Sequence, residues 1–244
     1  DPEAPVRPSE NVKGEIEFDH VSFAYPEAGE NVLTDISFKA KKGQTIAVIG
    51  STGSGKSTLI NLIPRYYDVT KGSVKVDGVD VRDMTQKELR DKLGYVPQKG
   101  VLFSGTIDSN IRYGKPEITD AQVKEAAEVA QATEFIDTKP EKYESPVSQG
   151  GTNVSGGQKQ RLSIARAIAK DPEIFIFDDS FSALDFKTDS QLRKALKEYT
   201  KDATTVIVAQ RISTILGADQ IIVLDDGHMA GIGTHKELMA NCEV

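Results

Sequence analysis

A glycine-rich turn between an apolar strand and a helix constrains this 244-residue chain more than any other feature. The run Thr45–Ile49 has the nearly continuous apolar character of a buried parallel strand. It leads into Gly-Ser-Thr-Gly-Ser-Gly-Lys-Ser at residues 50–57, and a helix is predicted from Lys56 to a point before Pro64. This spacing matches the phosphate-loop pattern, in which glycines let backbone N–H groups converge on one anion. The alternative, a Gly/Ser turn with a chance lysine, does not account for the strand–loop–helix setting.

The phosphate-loop pattern assigns chemical roles to its last two residues. Lys56 is expected to reach the β- and γ-phosphates of a nucleoside triphosphate, and the Ser57 hydroxyl to be a ligand of Mg²⁺. The pattern does not say what the energy of the nucleotide is used for. The predicted nucleotide-binding residues of this segment are Gly50, Ser51, Thr52, Gly53, Ser54, Gly55, Lys56, Ser57 and Thr58.

An acidic residue at the end of a second apolar strand extends the magnesium prediction. Asp178 directly follows the apolar run Ile174–Phe177. A carboxylate at the carboxyl end of a parallel strand faces the crevice in which ligands bind. We therefore predict that Asp178 helps to hold Mg²⁺, the alternative being an acid that faces solvent.

Strand patterns alternate with helix patterns over most of the chain. This alternation predicts an α/β fold, a P-loop NTPase core with a mainly parallel sheet, joined by an antiparallel β subdomain and an α-helical subdomain. Residues 1–14, with three prolines among charges, are predicted to be a linker. Because the chain begins without a start methionine, we expect this linker to follow a segment further upstream. Residues 15–244 form the nucleotide-binding domain, with 15–98 and 170–244 as the core plus β subdomain and 99–169 as the helical subdomain.

Composition excludes several classes of protein. The chain has 30 basic and 37 acidic residues, and its net charge of −7 argues against broad nucleic-acid binding. Its single cysteine, Cys242, can form no internal disulfide, which indicates a reducing compartment. The longest apolar runs fall far short of the ~20 residues that span a bilayer. We therefore expect the chain to be water-soluble in itself, with any membrane crossing made by another segment.

Three further segments resemble the motifs of ATP-binding cassette (ABC) proteins. Asn153–Arg161, with Ser-Gly-Gly-Gln at its centre, resembles the signature loop of that family. Ser182–Asp185, after the second apolar strand, resembles its D-loop. Gln98, which follows Gly94–Pro97, resembles the glutamine of its Q-loop. The order and spacing of the motifs agree with the family over residues 14–240.

The resemblance implies the ligands and the assembly. It implies bound ATP with Mg²⁺ and a head-to-tail dimer, in which each ATP contacts the phosphate loop of one chain and the signature of the other. Gln98 is then a catalytic residue and a Mg²⁺ ligand, and Tyr25 stacks on adenine unless it is merely an edge-strand aromatic. The signature residues that would contact the nucleotide of the partner are Ser155, Gly156, Gly157 and Gln158. Ser155 also begins a capping box, so a helix cap alone is the alternative for this motif.

Two segments resemble the exporter type of this family. They are Phe103–Ile107 with Asn110 and Ile111, and Ser145–Gly151, a counterpart of the exporter X-loop with its acidic position altered. The implied function is to drive substrate efflux with transmembrane domains as partners, at the cytoplasmic face of the membrane. A soluble ABC-type ATPase is the alternative, but it favours two cassettes, a long coiled-coil insertion or a basic face. A P-loop kinase or GTPase would leave the segment 153–161 unexplained.

Two residues depart from the family pattern where hydrolysis is concerned. The family has a glutamate as general base directly after the Mg²⁺ aspartate and a histidine as switch residue; here these positions are Asp179 and Gln210. Aspartate is one methylene shorter, and glutamine has no titratable proton. We therefore expect a degenerate ATP site with slow turnover, in a heterodimer whose second, catalytically competent ABC domain uses the intact signature of this chain. Tolerated substitutions in an active site are the alternative.

Two smaller features are predicted to be structural only. Asp77, Asp80 and Asp83 are spaced by three in a turn-rich segment and are interpreted as a solvated loop, since a calcium loop needs another spacing. The aromatic residues Tyr66 and Tyr67 follow the phosphate-loop helix and are interpreted as core, with an interface as the alternative.

Overall fold

The computed structural model describes residues 1–243, and the chain divides into two compact units. The first unit comprises Asp1–Leu93 and the chain from Asp202 onward, and the second comprises Gly94–Lys201. The chain thus leaves the first unit once and returns to it. The predicted division at residues 98 and 170 has other boundaries and stays a prediction. Within residues 1–243, no helix combines the length and the apolar character needed to cross a bilayer.

The first unit contains an antiparallel sheet in the order β2-β1-β4-β5. In β1, register shifts between Phe18 and Phe23 mark an irregularity, and His20 there has a φ of 48°. The stretch therefore forms one irregular strand. Phe18 stacks on Phe38 of β2 at a centroid distance of 4.6 Å, which fills one face of the sheet. The strands are β1 (Ile16–Phe23), β2 (Leu33–Ala40), β4 (Lys71–Val76) and β5 (Val79–Asp80).

The second sheet of this unit has β3 between two parallel neighbours. Val48 of β3 lies opposite Val208 of β10 and Ile222 of β11. Because β3 is covered on both faces, its residues Ile46–Val48 are fully buried and read as a continuous apolar run. Strand β12 pairs antiparallel with β11. The remaining elements of the unit are β3 (Thr45–Gly50), α1 (Lys56–Asn61), α2 (Gln86–Asp91), β10 (Thr204–Val208), α8 (Ile212–Ile215), β11 (Gln220–Asp225), β12 (His228–Gly233) and α9 (His235–Asn241).

The second unit is mainly helical and is organised around α6. This 14-residue helix packs against α3 and α4, and it buries Leu162, Ile164 and Ile168 completely. Two strands, β6 and β9, are neighbours within the unit, and β7 pairs antiparallel with β8. The elements are β6 (Leu93–Val96), β7 (Gly105–Thr106), α3 (Ile107–Ile111), α4 (Asp120–Val129), α5 (Thr133–Asp137), β8 (Pro146–Val147), α6 (Gly156–Ala169), β9 (Ile174–Asp178) and α7 (Phe186–Tyr199), with 3₁₀ turns at Lys142–Glu144 and Gln149–Gly151.

The prediction that Tyr66 and Tyr67 belong to the core is wrong. Their exposed fractions are 47% and 40%. Helix α1 ends at Asn61, and Arg65 adopts a left-handed backbone with a φ of 56°, so the two rings lie on a turn rather than on the buried face of the helix. Tyr67 nevertheless packs edge-on against Tyr25 at 5.1 Å.

The prediction of a solvated acidic loop is wrong for Asp77. Its carboxylate is fully buried, accepts a hydrogen bond from the N–H of Glu15 at 3.0 Å and lies 3.0 Å from the ammonium of Lys92. Asp80 is paired with Arg82 at 2.7 Å, whereas Asp83 is exposed. A turn-rich sequence predicts the local backbone but not that Glu15 and Lys92 contact one of the three carboxylates.

Candidate nucleotide-binding site

Two glycines of the phosphate loop are required by their surroundings. Gly50 ends β3 with a φ of 153°, and a Cβ there would lie 2.4 Å from the carbonyl oxygen of Leu224. Gly55 precedes α1 with a φ of 104°, and a Cβ there would lie 2.8 Å from a methyl group of Leu33. Both residues therefore combine a left-handed backbone with a close approach of neighbouring atoms. The loop between β3 and α1 has its tight shape because only glycine fits at its two ends.

The inside of the loop fits a phosphate group. The ammonium of Lys56 folds back over the loop and donates to the carbonyl oxygens of Gly50 and Ser51. No side chain caps the N-terminus of α1, and its first turn contains no acid, so the partial positive charge there is not neutralised. The hydroxyl of Ser54 is buried without a hydrogen-bond partner among the described residues. A cation, an uncapped helix start and an unsatisfied hydroxyl favour an anionic ligand with several oxygen atoms.

Gln210 lies at the same sheet edge as the phosphate loop. One residue, Ala209, separates it from the carboxyl end of β10. Ala209 donates its N–H to the carbonyl of Val48 at 3.4 Å. Strand β10 runs parallel to β3, which ends at Gly50. The side chain of Gln210 is exposed. Within the first unit, the fold therefore places the residue at the switch position near the loop that is predicted to hold the phosphates.

Tyr25 lies among aromatic rings and is tied to the phosphate-loop helix. Its hydroxyl forms a 2.8 Å hydrogen bond with the hydroxyl of Thr58, in the first turn of α1. Phe23 and Tyr67 contact its ring edge-on at 4.9 and 5.1 Å. The ring is half-buried, so part of it remains accessible to a base. The sequence did not predict the contact between Tyr25 and Tyr67, because the two residues are 42 positions apart in the chain.

In the second unit, Gln98 and Asp179 come together. The amide of Gln98 donates to a carboxylate oxygen of Asp179 at 3.4 Å, although the two residues are 81 positions apart in the chain. Asp178 is the last residue of β9, as the sequence predicted for a strand-end carboxylate. Asp179 has a left-handed backbone with a φ of 48°, a region that aspartate tolerates better than most residues. The carboxylate at the general-base position is therefore next to the Q-loop glutamine.

The signature segment begins α6 with a complete capping box. Ser155 accepts a hydrogen bond from the N–H of Gln158 at 3.1 Å, and the side chain of Gln158 accepts from the N–H of Ser155 at 3.3 Å. A Cβ on Gly156 would meet no atom within 4 Å, so the helix start is open on that side. The first turn of α6 contains no acid. The predicted capping box is therefore present. It leaves the start of α6 open, and an open helix start favours anions.

In the second unit, hydrogen bonds of Asn110 and Arg166 hold the first segment that resembles an exporter motif. The buried Asn110 side chain accepts from the N–H of Phe103 at 2.8 Å and donates to its carbonyl at 2.9 Å. The guanidinium of Arg166 donates to Asn110 and to the carbonyl of Val101, and burial lowers the pKa of Arg166 to about 10. Arg166 thus stays charged at neutral pH. The sequence places Asn110 in an exporter-like segment but assigns no role to it. It gives no signal for its contact with Arg166, which lies 56 positions away.

The X-loop counterpart is closed by its own polar side chains. Ser148 bonds to the side chains of Thr152 and Asn153 at 2.8 and 2.9 Å. Asn153 also donates to the carbonyl of Pro146 at 2.9 Å. Since Asn153 lies two residues before Ser155, this network holds the segment next to the start of the signature helix.

The D-loop counterpart ends in a helix cap. Asp185 accepts from the N–H and the hydroxyl of Thr188 at 2.9 and 2.8 Å. The backbone hydrogen bond from Thr188, followed by its side-chain bond, lowers the pKa of the Asp185 carboxyl. The next residue, Phe186, is 86% exposed.

Comparison with known proteins places the chain in a family. The family model described as ABC transporter matches residues 33–182, which is more than half of the chain. The chain belongs to the ABC transporter family. The predicted α/β fold of the P-loop NTPase type is thereby confirmed, and the domain of this family binds ATP, typically together with Mg²⁺.

Individual relatives are similar over nearly the whole chain. A protein of Staphylococcus aureus (strain NCTC 8325 / PS 47), described as a multidrug export ATP-binding/permease protein, is 47% identical over 235 residues, covering 96% of this chain and 41% of that protein. YgaD of Bacillus subtilis (strain 168), which carries the same description, is 47% identical over 231 residues, covering 95% of this chain and 40% of that protein. The solved structure of a bacterial Atm1-family ABC exporter with ATP bound superimposes with a TM-score of 0.92 at 38% identity, covering 98% of this chain and 41% of that one. The chain therefore spans about two fifths of the length of these relatives.

Proposed function

We propose that this chain is the ATP-binding motor domain of a membrane ABC exporter. It binds Mg-ATP at the cytoplasmic face of the membrane and pairs head-to-tail with a second ABC domain, and this pairing drives transmembrane domains that export a substrate. The observation that carries the proposal is the phosphate loop, whose shape, lysine and unsatisfied hydroxyl fit a phosphate group. The similarity to ATP-binding/permease proteins and to an exporter with bound ATP supports the transport function.

The roles of the individual residues follow the family pattern. Ser57, Gln98 and Asp178 hold Mg²⁺, which neutralises the charge of the phosphates when bound, and Tyr25 stacks on the adenine. Asp179, Gln210 and Gln98 act in hydrolysis. The phosphate-loop residues 50–58 bind the nucleotide of this chain, and the signature residues 155–158 bind that of the partner.

The nucleotide prediction is tested by calorimetry with Mg-ATP. Replacing Lys56→Ala removes the ammonium from the loop, and we expect ATP to bind at least about tenfold more weakly, because a charge-assisted hydrogen bond is worth ~1.5–3 kcal/mol. Lys124→Ala, at an exposed position of α4, is the matched control and should bind like the unmodified chain. Equal affinity of the two variants for ATP would contradict the proposed site.

We further propose that the ATP site of this chain is degenerate. The carboxylate of Asp179 is one methylene shorter than that of glutamate, and it already contacts Gln98. Gln210 can donate a hydrogen bond to a phosphate but cannot exchange a proton near neutral pH. Since a positioned base contributes ~10²–10⁴ in rate, ATP should stay bound and turn over slowly.

The turnover of four proteins tests this proposal: the unmodified chain, Asp179→Glu, Gln210→His and the double variant. The double variant should hydrolyse ATP faster than the unmodified chain, with unchanged ATP affinity. Asp179→Asn, which removes the carboxylate at constant size, is the control and should not exceed the unmodified chain. If the unmodified chain is already as fast as the double variant, the site is not degenerate.

The intact signature motif suggests that the partner is a different ABC domain. A partner with glutamate and histidine at the two altered positions would carry out hydrolysis, using Ser155–Gln158 of this chain. Gly156→Asp places an acid at the open start of α6 and should abolish hydrolysis in the mixed dimer while leaving ATP binding by this chain unchanged. A native assembly of two identical copies that hydrolyses ATP rapidly would contradict the heterodimer.

A further inference from the structure

A buried glutamine holds the main chain on both sides of the Q-loop glutamine. Gln160, in the second turn of α6, has an exposed fraction of 1%. Its side-chain oxygen accepts from the N–H of Gly100 at 2.8 Å, and its side-chain nitrogen donates to the carbonyl of Pro97 at 3.0 Å. These two backbone groups flank Gln98 and Lys99. One side chain therefore satisfies the main chain before and after the residue proposed to bind Mg²⁺.

Two more contacts fix the same stretch of chain. A Cβ on Gly100 would lie 2.9 Å from the carbonyl oxygen of Lys159, so the stretch lies directly against the main chain of α6. At its start, the fully buried hydroxyl of Ser180 donates to the carbonyl of Val96 at 2.6 Å. The backbone from 96 to 100 is thus held at three points, whereas the side chain of Gln98 is exposed and reaches Asp179.

The chemical nature of Gln160 is not explained by packing. Burying an amide is unfavourable unless its donor and its acceptor are both used, and an apolar side chain of similar size would fill the same space. Here both ends of the amide are used, and both on the main chain of one loop. The helix that carries Gln160 begins at the signature, only five residues after Ser155. The contacts therefore join the signature helix to the loop of Gln98.

We propose that Gln160 is a positioning residue that fixes the loop carrying Gln98 to the signature helix, so that the orientation of Gln98 depends on this helix. The inference rests on the proposed function for the role of Gln98 in the site. The two hydrogen bonds of Gln160 join groups of this chain only, so the position of the loop can be tested on the chain without nucleotide.

A single tryptophan can report on the loop, because the chain contains none. Lys99 is exposed and lies between the two anchored groups, so Lys99→Trp places the fluorophore in the loop. In this background, Gln160→Met removes both hydrogen bonds at similar volume, and Gly100→Ala forces the loop away from α6 without changing Gln160. Ile168→Val, a fully buried position farther along α6, is the control for a general loss of stability.

The expected result is a rise in acrylamide quenching and a fall in anisotropy of the tryptophan in Gln160→Met and in Gly100→Ala, but not in Ile168→Val. If circular dichroism shows that one of the first two variants is unfolded, the other variant decides. Gln160→Glu keeps the acceptor for the N–H of Gly100, and its quenching should lie between that of the unmodified loop and that of Gln160→Met. Unchanged quenching in a folded Gln160→Met or Gly100→Ala variant would overturn the proposal.

A second measurement separates positioning from folding. Gln160→Met, without the tryptophan, should reduce the gain in ATP affinity that Mg²⁺ gives by about three- to tenfold, while the affinity for ATP in EDTA stays the same. In a Gln98→Ala background, Gln160→Met should have no further effect. An equal loss of affinity with and without Mg²⁺ would overturn the proposal, whereas no ATP binding by the unmodified chain would contradict the proposed function and leave the fluorescence result standing.

Discussion

The variant Asn110→Ala should strongly destabilise the second unit, because the side-chain oxygen and the side-chain nitrogen of Asn110 each make two hydrogen bonds. Asn110 is 2% exposed. Its oxygen accepts from the N–H of Phe103 and from Arg166, at 2.8 and 3.0 Å. Its nitrogen donates to the carbonyls of Phe103 and Thr106, both at 2.9 Å. Alanine removes these four hydrogen bonds and keeps the bonds to the backbone oxygen of residue 110, including the one that Arg166 donates.

The cost follows from which partners water can reach. A neutral hydrogen bond contributes ~0.5–1.5 kcal/mol and one to a charged group ~1.5–3 kcal/mol. The bonds to the backbone of Phe103 are only partly buried, so we assign most of the loss to Thr106 and Arg166. We expect the free energy of unfolding to fall by about 3 kcal/mol. For a chain of this size this lowers Tm by about 6–12 °C.

Urea denaturation followed by circular dichroism measures the change. Asn110→Asp is the matched control, because its carboxylate still accepts from Phe103 and Arg166 and loses only the two donated bonds. It should cost less than the alanine variant. If Asn110→Ala lowers the free energy of unfolding by less than about 1 kcal/mol, or if the two variants are equally stable, the hydrogen bonds of Asn110 do not stabilise the unit.

Two further predictions concern carboxylates. Asp77→Ala removes a buried carboxylate that pairs with the ammonium of Lys92 and accepts from the N–H of Glu15, and it should cost about 3–5 kcal/mol in a denaturation experiment. Asp83→Ala, at an exposed position of the same acidic series, should stay within about 0.5 kcal/mol of the unmodified chain, and equal costs would refute the assignment. The lowered pKa of Asp185 means that its cap stabilises α7 above the ordinary aspartate pKa and that this stabilisation is lost as the pH falls through the lowered value. Thr188→Val removes one of the two hydrogen bonds and should raise the pKa of the Asp185 carboxyl in an NMR titration, and an unchanged pKa would contradict the cause given.

The features that the sequence predicted well are those encoded within a few residues. The phosphate loop is defined by eight consecutive positions, and the capping box at Ser155 joins residues three apart. Local patterns work here because the hydrogen bonds that satisfy a turn or a helix start come from the next turn of the same chain.

The candidate site was only partly accessible to such reasoning. The sequence gives the residue types of Gln98, Asp179 and Gln210 and their positions after apolar runs. It does not give the contact between the first two, nor the aromatic neighbours of Tyr25. The roles of these residues toward a nucleotide stay predictions until ATP binding and turnover are measured.

The amino-acid sequence by itself determined the alternation of strands and helices, the glycine-rich turn of the phosphate-loop pattern, and the family of the chain. Only the tertiary structure decided that Asp77 is buried, that Tyr66 is exposed, and that Gln160 anchors the loop of Gln98 across 60 positions of sequence. The reason is physical: burial and hydrogen bonding of a side chain depend on what the packed fold brings against it, and residues far apart in the chain leave no periodic pattern that announces their contact.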